Sequence, residues 1–141
     1  MKEIQLKWPN DLMLNDSKVG GILIEARTQS DDMRLVMGVG VNLENVGSYQ
    51  GIHKEISGEF VGEKIFEFVQ RFLSLGFFPF KASFEEVLWK KFQIVKMLIQ
   101  GEVQELEIRG VSDEGALIAH DSRKLILNSD GEILIDGQAP C

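Results

Sequence analysis

An α+β fold is predicted by three observations: strand-like segments at the N-terminus, two helical patterns in the middle, and a return to short strands in the last third. The stretch "EIQLKW" alternates Ile4, Leu6 and Trp8 with polar neighbours, the period-2 signature of a half-buried strand. Pro9 ends it by removing a backbone donor. "LML" is a short apolar run, "NDSK" supplies turn residues, and "VGGILIEA" is the returning strand. After the polar "RTQSDD" comes a third strand, "MRLVMGVGVNL". Three strands in series with short links predict an antiparallel meander. Long apolar runs in the second and third imply that both faces are covered, with a helix packed on at least one.

A helix follows. "FVGEKIFEFVQRFLSLG" places Val61, Ile65, Phe68, Val69 and Phe72 on one amphipathic face, with Gly76 positioned to end it. The preceding "ENVGSYQGIHKEISGE" reads as a polar surface loop. A second helical pattern, "KASFEEVLWKKF", spaces Phe84, Val87, Leu88 and Lys91 along one face and sets Trp89 on a neighbouring stripe. From about Ile94 the texture changes to short strands with frequent turn signals, which predicts a boundary near residue 93. Residues 1–93 then form a mixed or antiparallel sheet with packed helices, and residues 94–141 a small β unit.

Composition narrows the function classes. With 15 Lys and Arg against 22 Asp and Glu, the formal charge of −7 repels a nucleic-acid backbone on average. No apolar run reaches the roughly 18 residues of a membrane span, and the opening residues lack a signal peptide's apolar stretch, so the expected setting is the cytoplasm. Cys141 is the one cysteine, which excludes an intrachain disulfide and a Cys-based zinc site and leaves an incidental thiol. His53 and His120 read as surface residues.

The chemistry concentrates in "KWPNDLMLNDSKVGGIL", residues 7–23. Asn10 and Asp11 follow the strand-ending proline and Lys18 opens the returning strand, so the turn should bring them to neighbouring strand ends. Glycine inside a strand costs roughly 0.5–1 kcal/mol relative to alanine, so Gly20 and Gly21 together need a reason. A β-bulge or tight packing against the helix is one; a ligand lying against backbone is another. Gly38 and Gly40 lie two apart, on one face of the next strand, which ends at Asn42. Two adjacent strands cleared of side chains, beside a lysine and asparagine amides, would suit a ring-bearing ligand with an anionic group. Neither Gly-rich strand matches a phosphate loop.

"KWPND", then "KVGGIL", then "GVGVN" resemble the three successive signatures of the catalytic domain of biotin protein ligases (biotin–[acetyl-CoA-carboxylase] ligases), a class II synthetase-like fold. The last unit resembles the SH3-like β-barrel that follows it in that family. The resemblance implies ATP and biotin as substrates, Mg²⁺ as cofactor, and ligation through biotinyl-5′-adenylate to a lysine of a biotin carboxyl carrier domain. It implies that Lys18 contacts the biotin carboxyl and the α-phosphate, where an ammonium would stabilise growing negative charge. Asn10 and Asn42 would read the adenine, while Gly20, Gly21, Ile22 and Gly38 would let biotin and the adenylate lie against backbone. Asp11 is the available carboxylate: a base for the acceptor lysine, an oxygen ligand for Mg²⁺, or an orienting partner of Lys7. Lys7 and Trp8 complete the candidate set, with Lys7 read first as a solvated strand end.

In that family a Gly/Arg-rich loop covering biotin and the adenylate precedes "KWPND"; only six residues precede Lys7 here, and no "GRG" run occurs. The chain is therefore expected to resemble the second half of a ligase catalytic domain. It should bind a complementary N-terminal half or self-associate, and show little ligation by itself. The alternative is a non-catalytic remnant whose C-terminal unit serves protein interaction.

Overall fold

The computed structural model describes residues 4–29, 32–52, 57–121, 125–128 and 131–135. His53 and Cys141 lie outside the described residues.

Four strands, not three, form the N-terminal antiparallel sheet: β1 (Ile4–Lys7), β2 (Asp11–Leu14), β3 (Ser17–Gln29) and β4 (Asp32–Val41), in the order β1-β2-β3-β4. The "LML" run is itself most of strand β2, paired on both sides. At four residues it is too short to display an alternation of its own. A loop follows, closed by the Val46–Tyr49 bridge and tied back by the Ile52 N–H donating to the Asn42 carbonyl (2.9 Å).

Helix α1 (Gly58–Leu75) starts where the Ser57 hydroxyl accepts the Phe60 N–H and ends at Gly76, whose φ of 73° suits a residue without a Cβ. None of its residues is buried. Val61, Ile65 and Val69 are half-buried, while Phe68 and Phe72 stay exposed and meet Phe80, the closer pair at a centroid distance of 4.9 Å. The expectation that both faces of the sheet are covered is therefore corrected: Leu23, Ile24, Leu35 and Val36 are each more than half exposed.

A 3₁₀ turn (Phe78–Phe80) leads into α2 (Lys81–Glu86), half the length predicted for this helix. Its expected second half runs instead beside β1. The Leu6 N–H donates to the Val87 carbonyl and the Trp89 N–H to the Leu6 carbonyl, both at 2.8 Å, in a parallel bridge that buries Leu88 and Trp89. Pairing with a strand edge and burying Leu88 and Trp89 outweigh continuation of the helix, while Val87 stays exposed.

The remaining strands, β5 (Ile94–Ile99), β6 (Glu102–Val111), β7 (Leu117–His120), β8 (Leu125–Asn128) and β9 (Glu132–Ile133), form a second sheet in the order β8-β7-β6-β5-β9. Gln100 and Gly101, both with positive φ, make the tight β5–β6 turn. His120 is half-buried rather than a surface residue, because it lies in a middle strand of this sheet. One buried cluster joins Trp8, Met13, Leu88 and Trp89 to Met97, Leu106, Ile108, Leu117 and Ile133, so the core runs across residue 93, where helices give way to strands. Among the described residues no helix is long and apolar enough to cross a membrane.

Candidate functional site

The β2–β3 turn is made by Asn15 and Asp16, with φ of 49° and 62°, the left-handed conformation that Asn and Asp tolerate best. Beyond it the register slips: Met13 opposes Lys18 but Leu12 opposes Gly20. Val19 is the extra residue of this β-bulge, and it is fully buried. Asp11 opens β2 and pairs with Gly21, while Lys18 is the second residue of β3 and pairs with Met13 near the turn, so their backbones are not at neighbouring strand ends. The long lysine side chain spans the gap, and Lys18 Nζ lies 2.6 Å from Asp11 Oδ1.

Asp11 Oδ2 lies 3.3 Å from Lys7 Nζ. Lys7 is only 6% exposed, which corrects the reading of a solvated strand end. Burying an ammonium is costly without a counter-charge, and Asp11 supplies it. The two lysines differ in access: the Lys18 side chain is 51% exposed and that of Asp11 12%. Two ammoniums around one carboxylate leave the cluster formally cationic, and Lys18 is the member able to offer its charge to an outside anion.

The glycines divide into two kinds. A Cβ on Gly20 would lie 2.5 Å from the Gly40 carbonyl oxygen, so Gly20 is required by close approach of β4. A Cβ on Gly21 would lie 3.2 Å from Asp11 Oδ1 and 3.5 Å from Lys18 Cε, so its absence makes room for the ion pair. A Cβ on Gly40 would face open space, and one on Gly38 would meet only the Leu23 carbonyl oxygen, at 4.0 Å. The cleared floor beside Lys18 is thus Gly38 and Gly40, while Gly20 is explained by close packing against strand β4 rather than against a helix.

Lys18, Gly21 and Gly40 line two clefts. One, of about 470 Å³, adds Asn10, Asp11, Ile22 and Gly38; the other, of about 750 Å³, adds Gly20, Asn42, Tyr49 and Ile135. Asn10 and Asn42 therefore fall in different clefts. Their amide N–H groups are engaged: Asn10 Nδ2 donates to the Ile22 carbonyl at 2.7 Å and Asn42 Nδ2 to the Gln50 carbonyl at 3.2 Å. Each amide retains its oxygen as an acceptor. Trp8 is a core residue, 5% exposed, whose indole N–H donates to the Gly115 carbonyl at 3.0 Å. Tyr49, Gln50 and Ile135 also border the larger cleft, and sequence reasoning missed them, because a Gly-rich loop and a distant strand end carry no local signal of that placement.

The residues do not fit a resident Mg²⁺ on Asp11. Both of its oxygens face ammonium groups, and among the described residues no group of three His, Cys, Asp or Glu could hold a metal ion.

Sequence comparison defines the class first: residues 2–42, which contain the hairpin, match the biotin/lipoate A/B protein ligase family. Over most of its length the chain is similar to biotin protein ligases. It is 26% identical over 153 residues to the chloroplastic biotin–protein ligase 1 of Arabidopsis thaliana, covering 92% of this chain and 41% of that protein. The crystal structure of the Aquifex aeolicus biotin protein ligase superposes with a TM-score of 0.77 at 21% identity, over 96% of this chain and 66% of that one. The same Aquifex enzyme in complex with biotin and ATP gives a TM-score of 0.73 at 23% identity, over 93% and 61% of the two chains. The chain thus spans less than half of the curated relative and under two thirds, or close to it, of the solved structures.

Proposed function

We propose that this chain supplies the later half of the active site of an ATP-dependent biotin ligase. In the first step the biotin carboxylate attacks the α-phosphorus of ATP, forming biotinyl-5′-adenylate and releasing pyrophosphate. In the second, a lysine amine of a biotin carboxyl carrier domain attacks the acyl carbon, and AMP leaves. The single observation that carries this reading is the half-exposed Lys18 ammonium, fixed by Asp11 at 2.6 Å beside the open Gly38–Gly40 floor. A cation held in place there stabilises charge developing on the phosphoryl and carboxyl oxygens without reorganising at the moment of reaction. Asp11 serves as the orienting partner of both lysines, and Asn10 and Asn42 offer amide oxygens to the nucleotide from the two sides of Lys18.

Biotin and ATP as substrates, the carrier domain as acceptor and the cytoplasm as setting belong to this proposal, as does a complementary N-terminal half docked on the exposed β3–β4 ribbon. Exposed Leu23, Ile24, Leu35 and Val36 support that docking, since a monomer gains nothing from displaying them. Biotin-dependent ATP–pyrophosphate exchange, measured on the chain with and without an N-terminal ligase half, tests the reading. Exchange that requires Lys18 supports it; no exchange in either case, with folding confirmed, favours the non-catalytic remnant.

A further inference from the structure

Lys18 is held at its tip by Asp11, but its backbone position depends on the turn two residues earlier. Asp16 sits in that turn with its carboxylate 62% exposed, yet it is gripped from the far side. The Trp89 indole Nε1–H donates to Asp16 Oδ1 at 2.8 Å, and Lys90 Nζ lies 3.0 Å from the same oxygen. Both partners come from the segment that leads into β5. Trp89 is 3% exposed and fixed by its own backbone bond to Leu6, so it is a rigid donor. Lys90, with a φ of 58°, folds back over the Trp89 ring at 5.1 Å from its centroid. The hydrogen bond from Lys90, followed by that from Trp89, holds the Asp16 carboxyl below its usual value. On the same side, Ile135 from the end of the five-stranded sheet joins Asp16 and Lys18 in lining the larger cleft.

We infer that Asp16 is a positioning residue: gripped by the Trp89 indole and the Lys90 ammonium, it locks the turn that presents Lys18 and so couples the five-stranded sheet to the Lys18 cleft. The inference deepens the proposed ligase reading and rests on Lys18 being its central cation. If the grip is lost, the two-residue turn relaxes, β3 shifts at its first residues, and Lys18 no longer meets Asp11 at a fixed distance. A misplacement on the order of 1 Å is enough to change rates by one to two orders of magnitude in a preorganised site.

The test uses residue-resolved acylation of lysines by acetic anhydride on the full chain, read by mass spectrometry, with Lys64 on α1 as internal reference and amide protection of β5–β6 as the folding control. Asp16→Ala and Trp89→Phe should raise the Lys18-to-Lys64 labelling ratio at least threefold, because Lys18 loses its fixed carboxylate partner. Asp16→Asn keeps an acceptor for the indole N–H and should label close to the native chain, a rescue that a merely structural role would not produce. Native-like labelling in Asp16→Ala and Trp89→Phe, or an Asp16→Asn chain that labels like Asp16→Ala, overturns the inference. Should Trp89→Phe fail to fold, Asp16→Ala and Asp16→Asn, which leave the buried indole in place, decide the matter by the same criterion. Neither biotin nor ATP enters the measurement, so its outcome is independent of pyrophosphate exchange, which judges the ligase reading itself.

Discussion

The β5–β6 hairpin buries Met97, Leu106 and Ile108 to 1% exposure or less, whereas the outer part of the β3–β4 ribbon leaves Leu23, Ile24, Leu35 and Val36 at 55% or more. Both sets are large aliphatic side chains; the difference is what lies against them. The five-stranded sheet shares its core with Trp8, Met13, Leu88 and Trp89, while α1 buries none of its residues. Between the two extremes, at the inner end of the ribbon, Val19 is fully buried and Lys18, beside it, carries the candidate chemistry. The site therefore sits where a rigid core meets an uncovered ribbon, held on the core side and open on the other.

The largest expected effect is at the junction itself. Asp11→Ala strands the buried Lys7 ammonium without its counter-charge and should cost about 3–5 kcal/mol in denaturant unfolding. A loss below about 1 kcal/mol would mean that Lys7 finds water. Within the core, Leu106→Ala should cost about 2–5 kcal/mol, while Val36→Thr on the ribbon should stay within roughly 0.5 kcal/mol. Equal costs would erase the contrast between the two regions. Among the strand glycines, Gly20→Ala drives a Cβ against the Gly40 carbonyl and should destabilise by about 1–3 kcal/mol, whereas Gly40→Ala points into open space and should leave folding nearly unchanged.

The smallest effect is a pH dependence on the core side. Burial pushes the Glu85 carboxyl up, but the hydrogen bonds from Lys91 (2.9 Å) and the Val111 N–H (3.1 Å), with the charges of Lys91 and Lys81, outweigh it and leave the group below its ordinary value. A depressed carboxylate contributes stability above its unfolded pKa, and that contribution is lost as pH falls through the folded value. Unfolding followed below pH 5 should thus show a native chain losing stability faster than Glu85→Gln; parallel curves would remove Glu85 from the account.

Much of this was legible in the residues. The α1 face carries a 3.6-residue period and ends at Gly76, so local physics suffices there. Three features were not, each for a non-local reason. Phe84, Val87, Leu88 and Lys91 are spaced like one helix face, but the segment around Leu88 is captured by β1, some eighty residues earlier in the chain. Lys7 reads as a strand-end cation until the fold buries it beside Asp11. The apolar runs of β3 and β4 show that these strands suit burial, and carry no information on what covers them. At the site, Lys18, Asp11 and Gly21 were legible because they are close in sequence, whereas Asp16's partners come from residues 89 and 90.

The central claim is that Lys18, fixed by Asp11 on a glycine floor, is the cation of an adenylate-forming site. Biotin-dependent ATP–pyrophosphate exchange by the native chain and by Lys18→Met, each combined with an N-terminal ligase half, tests it most directly. Exchange should fall by at least about a hundredfold in Lys18→Met while amide protection of β5–β6 is unchanged. Exchange of equal rate in both chains would contradict it.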